Sequence, residues 1–327
     1  MPKELIHFKI AERTAELLQD TRFAPCLNTQ ALLLGSVFHD ALFYGVTPSA
    51  RPLERLAHEL HGANGQDTFT LLRLQAEHAA AAQEKELPTA LLVGMISHVF
   101  GDAVMHPMVW HFSGDYYAAD QSEKSRARQR HRALESLMDM VACPEMLGHP
   151  EYSLRLILRH ANKEFATGFP LKKIAGLAGI KGKKALKEAD SAWRTFATLQ
   201  SLFPIKSLAR NAFALRPYLP SWAAEIATLF YAPQLMLQAE ALTGDIQFRH
   251  PVTGEHRTTT LTTLIDSAAL QASNLCRSLE TAIFDQSSID LPEIGPSMDS
   301  GLSGVPTQHM SHYANPPFPR LTNKFRP

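Results

Sequence analysis

The chain has 327 residues, 45% of them hydrophobic and 20% charged, with a formal net charge of zero. That is ample for a sizeable core in one large domain or two. The neutral balance supplies no electrostatic grip on nucleic acid or anionic lipid, so no stable nucleic-acid complex is expected. Cys26, Cys143 and Cys276 are too few and too scattered for a disulfide framework or a Cys-type metal motif.

In chain order the sequence reads mostly as helices. Glu4 to Leu18 places Ile6, Ile10, Leu17 and Leu18 with a helical period, and His7 lies among them. This start lacks a long apolar run, so it is neither a secretory signal nor a membrane span, and a cytoplasmic protein is expected. Thr29 to Phe38 is a short apolar run ending at His39-Asp40. Pro52 to His61 is helical and carries His58 and His61; Gly62 and Gly65 then break it before a helix over Thr68 to Lys85.

The stretch from Gly94 to His111, GMISHVFGDAVMHPMVWH, sets His98, Asp102 and His106 four residues apart. On a helix these share one face over two turns. The residues between are apolar or small, so the helix is expected to be buried, and Pro107 to end it. A buried His-Asp-His face is either a hydrogen-bond network or a metal site. His131 and Glu135 repeat the spacing on a second helix marked by Leu134, Leu137, Met138 and Val141, which favours a metal site in the core of a bundle.

Between the two, Ser113 to Ser125 is polar and reads as a loop; the basic run from Lys124 to Arg132 reads as a solvated helix face. Pro150 to Phe165 looks like a further helix, and Lys172 to Lys187 like two short helices or a lid. Ala189 to Phe203, Ser221 to Leu242 and Thr260 to Phe284 are three more helical patterns, with a small hairpin allowed near 243–259. From Gln286 the chain turns Pro-, Ser- and Gly-rich. The expected organisation is therefore an all-α multi-helix bundle over 1–286 with a multinuclear metal site in its core, followed by a tail over 287–327, extended or disordered or docked on its neighbour. His149, His160, His250, His256, His309 and His312 lack a carboxylate at ligand spacing and are taken as structural or surface residues.

The run MPKELIHFKIAE, GSVFHDALFYG, HGANGQDTF, GMISHVFGDAVMHP and HRALESLMD, covering about residues 1 to 140, resembles the zinc-dependent phospholipase C family, whose fold is shared with the single-strand-specific zinc nucleases. The resemblance implies a helical bundle with two to three zinc ions. It implies Asp40, His61, His98 and Asp102 around one zinc, and His106, His131 and Glu135 around a second. His7 with Asp102 would serve a third, Asp102 then bridging. Secreted members use an N-terminal Trp at the third site, where this chain begins Met1-Pro2. His58 competes with His61, which is preferred because it opens the matching HG segment; His111 is an alternative third-site donor, though a core or surface role fits it better.

The residue chemistry agrees with that set. Imidazole and carboxylate are zinc donors, a shared carboxylate can hold two ions roughly 3.5–4 Å apart, and zinc makes hydroxide available near pH 7 for attack on a phosphodiester. Asp40 is the carboxylate expected to orient or deprotonate the water. A cationic headgroup would call for aromatics and a negative charge, for which Phe43, Tyr44, Trp110 and Glu4 are candidates. The expected partner is a phosphoester, such as a phospholipid or its headgroup. Two other readings stand beside this one: an HD-type or nuclease-like phosphohydrolase, built on His7, His39-Asp40 and Asp102 or on base stacking, and a non-catalytic metal-binding scaffold.

Overall fold

The computed structural model describes residues 3–45, 47, 50–161, 167–180 and 183–321. Its described residues form thirteen α-helices and one two-stranded hairpin, so the fold is all-α as expected. The organising element is α6 (Glu86–Ser113), buried along most of its length. Around it pack α1 (Glu4–Leu17), α2 (Thr29–Gly35), α5 (Thr70–Ala81), α7 (Gln121–Ala142) and α13 (Leu261–Asp285). A helix that is apolar all round needs partners all round. By length and composition α6 is also apolar enough to cross a bilayer, but its sides are covered by these five helices.

The crossing of α2 with α6 brings backbone against backbone. A Cβ on Gly35 would sit 2.3 Å from the Leu91 carbonyl oxygen, and one on Gly94 would sit 2.2 Å from that of Leu32. Only glycine allows this approach. Helix starts follow ordinary capping: the side chain of Asn28 accepts from the Ala31 N–H, Asp120 from Glu123 and Thr260 from Thr263.

Pro107 does not end the central helix; α6 runs two turns beyond it. Proline removes one backbone donor and leaves the Ala103 carbonyl, four residues earlier, without its helical partner. Gly301 packs there so closely that a Cβ on it would lie 2.5 Å from that oxygen. The surrounding core holds the helix through a residue that local sequence reads as a stop.

Elsewhere the departures are local. The Thr29–Phe38 run divides into α2 and a short α3 (Phe38–Ala41), because Val37 leaves helical geometry. Next come α4 (Arg51–Leu60), α8 (Leu154–Ala161), α9 (Leu171–Leu177) and α10 (Lys183–Leu202). The expected helix over 150–165 is a single turn at Pro150–Tyr152 followed by α8, and 162–165 lie outside the described residues. A helix that the sequence reading passed over, α11 (Lys206–Leu215), follows. The expected helix over 221–242 is α12 (Ser221–Ala227) and a separate 3-10 stretch at Leu235–Leu242. Between these, Phe230 and Tyr231 turn inward onto Phe203, and Pro233 cannot continue a helix. The hairpin pairs β1 (Ile246–Arg249) antiparallel with β2 (His256–Thr259), from Ile246 opposite Thr259 to Arg249 opposite His256.

After Gln286, whose left-handed backbone closes α13, the chain is extended and packs back over the bundle. Met298 N–H donates to the His61 carbonyl, Thr307 N–H to Ala63, Ala314 N–H to His111 and Phe318 N–H to Phe112. Ser297, Met298 and Ser300 are buried. Packing therefore runs unbroken past position 286.

Candidate metal centre

Five elements deliver the site. Its first donor, His7, sits in the second turn of α1, and α1 is pinned from across the fold. Asp139 of α7 accepts the free N–H groups of Leu5 (3.2 Å) and Ile6 (3.0 Å), satisfying donors that a helix start leaves unpaired. The Tyr231 hydroxyl donates to Asp139 (2.7 Å), and its oxygen also lies 3.2 Å from Glu4. Burial, reinforced by Glu4, raises the Asp139 carboxyl to about 8. Lys3 lies over the rings of Tyr231 and Phe203, and burial lowers its ammonium to about 8.

Asp40 comes from α3 and His61 from the C-terminal cap of α4. His98, Asp102 and His106 line one face of α6, and His131 and Glu135 one face of α7. All eight residues are buried. The donor atoms of Asp40, His61, His98 and Asp102 lie within 4.8 Å of one another, and so do those of His106, His131 and Glu135.

Asp102 stands between the two groups with no exposed side-chain surface. Its Oδ2 is 3.3 Å from His98 Nε2 and 3.6 Å from His61 Nε2. Its Oδ1 is 3.4 Å from His7 Nε2 and 3.7 Å from His106 Nε2. Asp40 Oδ1 is 3.5 Å from His61 Nε2 and 3.6 Å from His98 Nε2, and its Oδ2 is 3.9 Å from His7 Nε2. Glu135 Oε1 lies 3.0 Å from His131 Nε2 and 3.5 Å from His106 Nε2.

These separations suit a shared cation better than direct pairing. Neither carboxylate oxygen of Asp102 makes a well-aligned hydrogen bond, nor do Asp40 Oδ1 or the Nε2 atoms of His7, His61, His98 and His106. Each buried polar atom left so costs about 1–3 kcal/mol. Donors about 2.0–2.1 Å from a common tetrahedral centre would stand about 3.3 Å apart, close to the spacing found around Asp40, His61, His98 and Asp102.

The imidazoles are also turned the right way. His61 Nδ1 bonds the Ala57 carbonyl (2.6 Å), His98 Nδ1 that of Ser36 (2.8 Å), and His106 Nδ1 that of Met298 (2.5 Å). A carbonyl only accepts, so each Nδ1 carries the proton and each Nε2 presents a lone pair inward. Burial lowers His131 to about 4 and keeps it neutral.

His39 also enters the centre. Its ring stacks on that of His98 at 4.7 Å, and His7 stacks on His98 at 4.1 Å. Burial, then His98 and His61, push its pKa well down, so it packs as a neutral ring. His58 is exposed and edges Phe43 at 5.0 Å, so His61 is the histidine of α4 that faces Asp40 and Asp102. His111 bonds the His312 carbonyl, outside both groups.

The four residues considered for substrate contact do not converge on one cage. Phe43 lies 5.1 Å from the His61 ring, and Trp110 lies 5.3 Å from that of His131, beside Tyr116 and Tyr117. Tyr44 stacks on Phe196 at 4.2 Å, and Glu4 is bonded to Tyr231. The sequence reading missed the supports: the Ser36, Ala57 and Met298 carbonyls, Asp139, and Asp299, which accepts from Trp110 Nε1 (3.2 Å). Backbone carbonyls carry no residue-type signal. Asp139 does carry one, four residues after Glu135 on the same helix.

Residues 6–185 match the family model described as zinc dependent phospholipase C. Comparisons with curated proteins and with solved structures give no match.

Proposed function

Because that match spans more than half of the chain, the protein belongs to the zinc-dependent phospholipase C family, and from that premise we propose that it hydrolyses a phosphodiester at a centre of two to three zinc ions. The observation that carries this reading is Asp102: a fully buried carboxylate with each oxygen turned to a different set of imidazoles and no hydrogen-bond donor aimed at either. Buried anions of this kind are paired or bind metal.

In this reading Asp40, His61, His98 and Asp102 hold one ion and His106, His131 and Glu135 a second. Asp102 joins them, and His7 reaches the same carboxylate from α1. Bound zinc supplies Lewis-acid polarisation of a phosphoryl oxygen and water that ionises near pH 7. Asp40 keeps some side-chain exposure (6%) where Asp102 has none. That exposure supports the role this reading gives Asp40, to orient the attacking water and take its proton, with Asp102 as a fixed charge. The carbonyl-bound Nδ1 atoms keep the imidazoles from swinging, so donor geometry is set before substrate arrives. Phe43, half-buried beside the His61 ring, is the aromatic that would pack against a substituent of the ester.

The test is a substrate panel with the Asp40→Asn variant: phosphatidylcholine, a soluble phosphocholine ester, single-stranded nucleic acid and nucleoside monophosphates. Release of a phosphorylated headgroup, abolished by chelator, restored by zinc and cut at least about a hundredfold in Asp40→Asn with most of the metal retained, is the expected result. Cleavage of nucleic acid alone would reassign the protein to nuclease chemistry, and activity on monoesters alone to HD-type chemistry. Inertness of the zinc-loaded protein on the whole panel would leave a scaffold.

A further inference from the structure

Large exposed hydrophobic side chains are not spread over this protein. Of the twelve among the described residues, eight lie between positions 205 and 237. Tyr218 is 83% exposed, Leu237 77%, Trp222 68% and Leu215 56%. They sit on α11, the turn Arg216–Tyr218, the start of α12 and the 3-10 stretch from Leu235. The first three pack on one another, and the last is tied to α11 at its start, where Gln234 Nε2 donates to the Arg210 carbonyl (3.0 Å). The inner face of α11 already buries Ala209 and Phe213, and that of α12 buries Ala224 and Ala227. The outward Leu, Tyr and Trp are therefore a second apolar face where a solvated helix would be polar.

The charge around this face is one-sided. Between Asp190 and Glu240 the single acidic residue is Glu225. It is buried and turned toward Arg128 (3.9 Å) and Arg132 (3.8 Å) of α7. Lys206 and Arg210 of α11 are exposed beside the apolar residues, with no acidic neighbour in sequence from 191 to 224. The overall neutrality of the chain conceals this local excess of cations.

We infer that this face is a membrane-docking surface for anionic phospholipid, with Tyr218, Trp222 and Leu237 entering the interface and Lys206 and Arg210 contacting headgroup phosphates. Trp and Tyr suit the headgroup level because their rings are apolar with one polar atom, and lysine and arginine beside them add attraction to an anionic leaflet. A second copy of the chain fits less well. A two-fold contact through this patch would set Lys206 and Arg210 near their own copies, and the one exposed acid among the described residues of these elements is Glu240. The inference stands apart from the phosphoester reading, although α12 packs on α7, the helix that carries His131 and Glu135.

The test is co-sedimentation of the full chain with mixed phosphatidylcholine and phosphatidylglycerol vesicles, and iodide quenching of tryptophan fluorescence. Trp222 is the exposed tryptophan, since Trp110 and Trp193 are buried, so vesicles should shield the quenchable signal. Tyr218→Ser, Trp222→Ser and Leu237→Ser combined should reduce vesicle binding at least about tenfold while leaving thermal stability and hydrolysis of a soluble ester unchanged. Lys206→Glu with Arg210→Glu should weaken binding to the anionic vesicles and not to pure phosphatidylcholine. Protein that stays in the supernatant, binding that survives the triple change, or a concentration-dependent dimer abolished by that change without vesicle uptake would each overturn the inference. Vesicle binding that behaves as expected in a protein inert on every ester would support the surface and reject the phosphoester reading.

Discussion

Gly94→Ala tests whether the backbone contact between α2 and α6 sets the geometry of His98. The added Cβ would stand 2.2 Å from the Leu32 carbonyl oxygen and 2.7 Å from the Ser36 nitrogen, where ordinary contact begins near 3.4 Å. The helices must separate by about 1.2 Å at that point. Both obstructing atoms are backbone, so the cost belongs near the upper end of overpacking, about 3 kcal/mol. Alanine's better helix propensity returns about 1 kcal/mol, leaving a net loss of about 2 kcal/mol and a melting point lower by about 3 °C. The same separation draws the Ser36 carbonyl away from His98 Nδ1, now 2.8 Å distant. Loss of such a support weakens metal affinity roughly ten- to a hundredfold. Competition of the protein with a zinc chelator dye, beside melting curves with and without metal, measures both. Ser36→Ala is the control, because the carbonyl is backbone and the hydroxyl bonds only Leu33. A Gly94→Ala protein with unchanged zinc affinity would refute the reasoning.

Three further outcomes follow from the centre and its supports. Asp102→Asn should lose at least one metal ion and melt lower, whereas His149→Ala, at an exposed position, should do neither; elemental analysis showing equal metal in both would reject Asp102 as the bridge. Asp139→Ala leaves the buried N–H groups of Leu5 and Ile6 unpaired, at about 1–3 kcal/mol each, and faster amide exchange confined to the start of α1 is the signature to look for. In the metal-free protein burial lowers His131 to about 4 from an ordinary 6.5. The folded state therefore favours the neutral ring, and this contribution to stability is complete above pH 6.5 and lost as pH falls toward 4, on the order of 3 kcal/mol in all. A chelated protein whose denaturant midpoint stays flat across that interval would contradict it.

The spacing of His98, Asp102, His106, His131 and Glu135 made five of the eight residues of the candidate centre legible from sequence, because helical periodicity converts spacing into a shared face. His7, Asp40 and His61 sit on three other elements, and nothing local links them; the family resemblance named them. Pro107 misled because local rules weigh one missing hydrogen bond, whereas the helix is held by its neighbours and its freed carbonyl is covered by Gly301. The segment after Gln286 is legible as extended, but its docking place is not, because it bonds to the bundle largely through its own backbone groups, to which composition is blind. Helix α11 escaped notice because its outward leucines obscure the amphipathic pattern that marks a soluble helix.

The bond between His106 Nδ1 and the Met298 carbonyl has a consequence for how the centre matures. Every candidate donor has been synthesised by residue 135, but the acceptor that fixes the His106 ring is made 163 residues later. At about 5–20 residues per second a ribosome takes roughly 8–30 s over that interval. Throughout it His106 is free to rotate and to carry its proton on either nitrogen. A cation that met the emerging chain early would find the His106 ring not yet fixed, and that bond forms only when the last extended segment closes over α6.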